Sequence, residues 1–249
     1  VSLVAAKRII LNKTEELQRI IAGRDKLYSV IAHDLRSPMG SIKMVLNMLM
    51  LNLPVEKIGG EMYELLTMAN RTTEDVFSLL DNLLKWTKSQ IGNLNVVYQD
   101  VDAVEVVDSV IDVFNMVAGL KKITIREEKP EKLPVCTDID MLKTIIRNLL
   151  SNAIKFSNEN SEVLVKMEEQ GDTVVVSVKD SGCGIDEEGQ KKLLHTDTHF
   201  STFGTNNEEG SGLGLLLCQD FAVKSGGKLW FTSKKGEGST FYFSIPLKK

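Results

Sequence analysis

Apolar residues in the first part of the chain recur at alternating three- and four-residue steps. Leu17, Ile20, Arg24, Leu27, Ile31 and Asp34 form a heptad seam with two polar interruptions. The pattern continues through Ile42, Val45, Leu46, Leu49 and Met50 until Leu53-Pro54 breaks it, because proline cannot continue a helix and restricts the residue before it. A second helical stripe follows in Met62, Leu65, Leu66, Ala69, Val76, Leu79, Leu80, Leu83 and Trp86. Two long helices joined by a short turn predict an antiparallel hairpin. One hairpin cannot bury such wide stripes, so a homodimer through residues 1–92, closing a four-helix bundle, is expected. An intrachain three- or four-helix domain is the alternative, but the opening seam has no partner in the same chain.

Ile91-Gly92-Asn93 interrupts the pattern, which divides the chain into 1–92 and 93–249. From Asn95 onward the periodicity is mixed. Val96-Val97-Tyr98, Ile123-Thr124-Ile125 and Val135-Cys136-Thr137 read as short strands. Asp102 and Asp138 are placed to cap helices, the second carrying Leu142, Ile145, Ile146, Leu149 and Leu150. Glu162 to Glu168 and Thr173 to Lys179 alternate with period two across Gln170-Gly171-Asp172, a hairpin. Gly212 to Lys224 reads as a helix, and Lys228 to Ser233 with Ser239 to Ile245 as a last hairpin. The expected class is α+β: a helical hairpin, then an α/β sandwich with one sheet covered by helices.

Composition narrows the options. The 249 residues are 43% hydrophobic and 26% charged, ordinary for a globular protein. A net charge of −4 argues against a nucleic-acid partner. Three cysteines, with no pair at metal spacing, fit a reducing compartment. No apolar run approaches the roughly 20 residues that span a bilayer, and no signal peptide is visible, so no membrane contact is expected within these residues. The sequence opens on Val1 inside a helical pattern, as a fragment of a longer protein would.

Three polar clusters suggest chemistry. Asn148 and Asn152 share one helix face, with Lys155 close to it. Amide oxygens are hard ligands, so this face suits hydrated Mg²⁺ and phosphates, although a solvated polar face explains the spacing equally well. Asp180 ends a strand and precedes Gly182 and Gly184. A carboxylate there can accept a hydrogen bond from an exocyclic amine while the glycines let backbone approach a planar ring; an ordinary turn is the plain alternative. Gly210-Ser211-Gly212-Leu213-Gly214 precedes an apolar helix, and backbone N–H groups at a helix start bind anions. A flexible loop would look similar. The three in this order are far harder to obtain by chance, and the lack of Gly-Lys-Ser/Thr excludes a P-loop.

Taken together, the chain resembles the kinase core of a bacterial sensor histidine kinase. Asn148 to Ser157 resembles the N box, Asp180 to Ile185 and Gly210 to Leu215 the two glycine boxes of the Bergerat ATP-binding fold, and residues 29–38 the phosphoacceptor H box. Ser201 to Gly210 is similar to the lid of hybrid sensor kinases of Bacteroides-like bacteria. The resemblance implies ATP and Mg²⁺ as cofactors. Asn152 would hold the metal, with Asn148, Lys155 and Phe156 beside the nucleotide. Asp180 would read the adenine amine, and Gly182, Gly184, Gly210, Gly212, Leu213 and Gly214 would shape pocket and lid. It further implies autophosphorylation of His33, transfer to an aspartate of a response regulator receiver domain, and the cytoplasmic portion of an inner-membrane-anchored sensor.

A lone histidine on a helix is usually a surface residue without chemistry. Here Asp34, Arg36 and Pro38 complete the resemblance, and Asp34 is the nearest base or orienting group for the imidazole. Ser37 stands where the family often has threonine or asparagine, which leaves phosphatase activity open. His195 to Gly214 contains no lysine or arginine, whereas many relatives place a basic side chain there, so Lys155, Lys191 or Lys192 would have to serve. His195 and His199, four apart, could form a helix-face zinc pair but lack a third ligand. Rival functions are a non-catalytic nucleotide-binding signalling module and an ATP-driven clamp. The polar lid, rich in small residues, predicts protease cleavage within 196–210 when nucleotide is absent; resistance across that span would contradict it.

Overall fold

The computed structural model describes residues 7, 11, 13, 14, 31, 34–52, 59–90, 96–193, 204, 205 and 212–247. The chain divides into two compact units, Val1–Asn95 and Val96–Lys249.

In the first unit residues 34–52 are helical (α1) and Gly60–Gln90 forms α2. They run antiparallel. Arg36 pairs with Asp81, Gly40 faces Phe77, and Lys43 pairs with Glu74 at 3.3 Å while its ammonium lies 5.7 Å from the Phe77 ring centroid. Leu80 and Leu84 are buried against Met39 and Leu83. They are the only buried hydrophobic residues among those described in this unit. Ile42, Met44, Val45, Met48, Met62, Leu65 and Met68 are exposed. Of the seam, Leu17, Ile20, Arg24 and Leu27 lie outside the described residues, as do Leu53-Pro54 and Ile91-Gly92-Asn93.

The second unit begins with strand β1 (Gln99–Asp102), which pairs antiparallel with β3 (Pro134–Thr137). Between them lie helix α3 (Ala103–Leu120) and strand β2 (Thr124–Glu128). Helix α4 (Ile139–Phe156) and strands β4 (Glu162–Gln170) and β5 (Thr173–Lys179) follow. A short helix α5 (Glu187–Lys192), helix α6 (Gly214–Lys224) and the hairpin β6 (Leu229–Lys234) and β7 (Gly238–Pro246) complete it. The main sheet has the order β2-β4-β5-β7-β6. Only β2 and β4 are parallel, because α4 supplies the crossover between them.

Period-two alternation decides the faces. Val163, Val165, Met167, Val174, Val176, Val178, Phe241, Phe243 and Ile245 are buried and meet the buried faces of α3, α4 and α6. The opposite face carries Lys166, Ser177, Tyr242 and Trp230, the last two stacked with centroids 5.3 Å apart.

Both expected caps form. Asp102 accepts from Val104 N at 3.0 Å and Leu133 N at 3.0 Å. Asp138 Oδ1 accepts from Asp140 N and Met141 N, and its Oδ2 from Val97 N at 2.9 Å. That last bond holds residues 96–98 outside the ladder, so the expected strand there is instead Gln99–Asp102. Helix α6 starts at Gly214, not Gly212, because Gly212 has φ +67° and Leu213 is the N-cap. Helix α5 had no apolar stripe to announce it; Asp186 caps it through Gly189 N at 2.9 Å.

Asp138 is 8% exposed and satisfies three backbone donors, so Asp138→Ala is expected to lower unfolding free energy by about 1–2 kcal/mol, read as a fall in the thermal midpoint.

Candidate functional site

Helix α4 is amphipathic to a purpose. Leu142, Ile145, Ile146, Leu149, Leu150 and Ala153 fill the core, and the face left over presents Asn148, Asn152 and Lys155. Asn148 Nδ2 donates to Thr144 O at 2.9 Å, which turns its Oδ1 towards the start of α6. A Cβ on Gly214 would stand 2.6 Å from that oxygen, so any larger residue there would displace the Asn148 amide. Asn152 is half-buried, and its amide makes no hydrogen bond to another described residue. A half-buried amide oxygen with no partner among the described residues suits a hydrated Mg²⁺. The Lys155 ammonium lies 4.9 Å from the Phe156 ring centroid.

Asp180, 4% exposed, closes the other side. Its Oδ1 accepts from Gly182 N at 2.9 Å and Ser239 N at 3.2 Å. Oδ2 makes no hydrogen bond to any described residue. Burial pushes the carboxyl pKa above its ordinary value, and the two backbone donors pull it partly back. The loop around it is tight. A Cβ on Gly182 would lie 2.0 Å from Phe156 O, tying the loop to the end of α4. Gly184 has φ +61°, and its Cβ would strike Lys234 O at 2.0 Å.

Helix α6 begins without a side-chain cap and without an acidic residue in its first turn. N–H groups at a helix start attract anions. The structure thus sets Asn148 against Gly214, which follows Gly212 and Leu213 at the start of α6, and joins Phe156 to Gly182 on the Asp180 loop. Asp34 and Ser37 are exposed on α1. His33, Gly210, His195 and His199 lie outside the described residues. Among the described residues no group of three or more His, Cys, Asp or Glu could hold a metal. Lys192 is engaged with Glu188 at 2.6 Å, and Lys191 is exposed on α5.

Sequence reasoning missed Gly238, which it read only as a hairpin turn. Its φ is +96°, and a Cβ there would meet Asp180 O at 2.2 Å. It also missed Lys121, which no motif marks, and saw Thr205 only as part of the lid segment Ser201 to Gly210.

Residues 137–249 match the family described as histidine kinase-, DNA gyrase B-, and HSP90-like ATPase. The chain is 29% identical over 238 residues to the adaptive-response sensory kinase SasA of Crocosphaera subtropica, covering 94% of this chain and 62% of the relative. It is 33% identical over 253 residues to the sensor protein KdpD of Clostridium acetobutylicum, covering 98% of this chain and 27% of that protein. The solved catalytic domain of histidine kinase ThkA is 30% identical, with a TM-score of 0.53, over 61% of this chain and 96% of that one. Full-length ShkA in complex with AMPPNP shares the fold, with a TM-score of 0.69 at 21% identity over 90% of this chain and 46% of that one. The chain belongs to the sensor histidine kinases and carries their ATP-binding core. It spans about three-fifths of the length of the SasA relative.

The raised pKa of Asp180 has a definite sign. The folded protein holds this proton more tightly than the unfolded chain, so ionisation costs stability as pH rises through the ordinary carboxylate range. Asp180→Asn keeps an oxygen for both N–H donors and removes the charge. Its thermal midpoint at neutral pH is expected to match or exceed the parent's, with the difference shrinking towards about pH 4. On the expectation that Asp180 reads the adenine amine, ATP affinity should fall about tenfold or more, because the new amide NH₂ would face that amine donor to donor. A lower midpoint at neutral pH, or unchanged ATP binding, would contradict this account.

Proposed function

We propose that this chain is the kinase core of a two-component sensor, in which His33 is phosphorylated from ATP and passes the phosphoryl group to an aspartate of a response regulator receiver domain. The observation that carries the nucleotide reading is the Asp180 loop: a buried carboxylate with one oxygen uncommitted, in a loop where several Cβ atoms would collide with backbone. Oδ2 would accept the adenine amine. Asn148, Lys155 and Phe156 would line the nucleotide, while Gly182 and Gly184 shape the base side. The N–H groups after Gly212, from Leu213 and Gly214 onward, would face the phosphates, with Gly210 leading into them. Mg²⁺, held by Asn152, would neutralise phosphate charge. Asp34 would orient the His33 imidazole and take its proton. The imidazole nitrogen then bonds to the γ-phosphorus as the bond to the bridging oxygen breaks, and ADP leaves. Ser37, exposed on α1 beside Asp34, would place water against the receiver's phosphoaspartate.

The exposed apolar residues of α1 and α2 support a homodimer through residues 1–92, closing a four-helix bundle ahead of a catalytic domain at 93–249. We read the chain as the cytoplasmic portion of an inner-membrane-anchored sensor; the sensor relatives support the kinase portion. No helix among the described residues is long and apolar enough to cross a membrane.

Incubation with γ-labelled ATP and Mg²⁺ tests the reading. Acid-labile, alkali-stable label is expected on the parent and absent from His33→Gln. ATP binding without label, even when a dimeric coiled coil is fused ahead of Val1, would instead mark a non-catalytic nucleotide-binding module. Hydrolysis without protein-bound phosphate would mark a clamp.

A further inference from the structure

Lys121 is the C-cap residue of α3 and is only 7% exposed. Its ammonium donates to Ile154 O at 3.0 Å, Lys155 O at 2.9 Å and Thr205 Oγ1 at 2.5 Å. A buried ammonium is costly unless paired. Here it meets the negative end of α4, whose last carbonyls have no donor within the helix. Thr205, itself exposed, adds to the same place. Its N–H donates to Lys155 O at 3.2 Å, and its hydroxyl proton is shared between Lys155 O at 3.1 Å and Ser157 O at 2.8 Å. Three donors from two distant segments therefore converge on the carbonyl of Lys155.

We propose that Lys121 and Thr205 are positioning residues for the phosphate end of the nucleotide, an inference that rests on the ATP reading above. The last turn of a helix is where its backbone frays. In α4 that turn carries Lys155, and Asn152 stands one turn before it. By pinning the Lys155 carbonyl, the pair fixes the point from which the Lys155 side chain and the Asn152 amide are aimed. On the base side the Asp180 carboxylate is held by its own backbone donors, Gly182 N and Ser239 N, so the clamp bears chiefly on the phosphates. Arginine could not replace Lys121, since a planar fork cannot address three acceptors spread around one ammonium.

The test compares binding of ATP with Mg²⁺ and of adenosine alone to the full chain, its Thr205→Val, Thr205→Ser and Lys121→Met variants. Thr205→Val keeps shape and N–H and loses only the hydroxyl of a surface residue. It is expected to weaken ATP about five- to tenfold and to leave adenosine within about twofold. Thr205→Ser should restore ATP binding. Lys121→Met should act in the same direction and also lower the thermal midpoint. ATP binding by Thr205→Val equal to the parent's overturns the proposal, and so does an equal loss of ATP and adenosine, which would signify general loosening. If the unsubstituted chain binds neither ligand, the ATP reading falls and this inference with it.

Discussion

The second unit depends on one helix held at both ends by opposite charges. Asp138 sits at the N-terminus of α4 and accepts two of its leading N–H groups, and Lys121 sits at the C-terminus and donates to two of its trailing carbonyls. Each charge opposes the partial charge that the helix presents there. Both are buried, so neither is screened as a surface charge would be. With the ends fixed, the apolar face of α4 packs between α3 and α6, and its polar face has a single orientation left.

Steric exclusion does the rest. The Asp180 loop closes because Gly182, Gly184 and Gly238 each bring backbone to within a distance that a Cβ forbids. The partners are Phe156 O at the end of α4, Lys234 O at the end of β6 and Asp180 O itself. One carboxylate is thereby tied to the helix that carries the asparagines and to the last hairpin of the sheet. Fixed backbone donors on Oδ1, and an Oδ2 without a partner among the described residues, accompany that closure.

The two units differ in how they satisfy their apolar residues. Strands and helices of the second unit bury Val, Ile, Leu and Phe on both sides of one core. In the first, the described helices meet along a narrow seam around Leu80 and Leu84, while methionines and leucines elsewhere on both helices face water. Such surface is costly to leave uncovered.

The sequence alone determined the elements whose signals are local. Alternation in Glu162 to Glu168 and Thr173 to Lys179 announced a hairpin that forms in register through Gln170↔Thr173, and Asp102 and Asp138 announced helix starts because a short carboxylate reaches its own next N–H groups. The order of asparagine, aspartate-glycine and glycine clusters likewise pointed to the ATP-binding core of this family, since each motif is contiguous. What tertiary structure decided is everything that joins residues distant in sequence. Residues 96–98 read as a strand by composition, yet the Asp138 carboxylate claims Val97 N, and the ladder starts later. Gly238 read as a turn, yet its bare α-carbon is what Asp180 needs for clearance. Lys121 looked like any solvated lysine, because nothing in the neighbouring residues says that a helix end and Thr205 will arrive from elsewhere. Periodicity reports which face of an element is dry; only packing decides which carbonyl waits there for a charge.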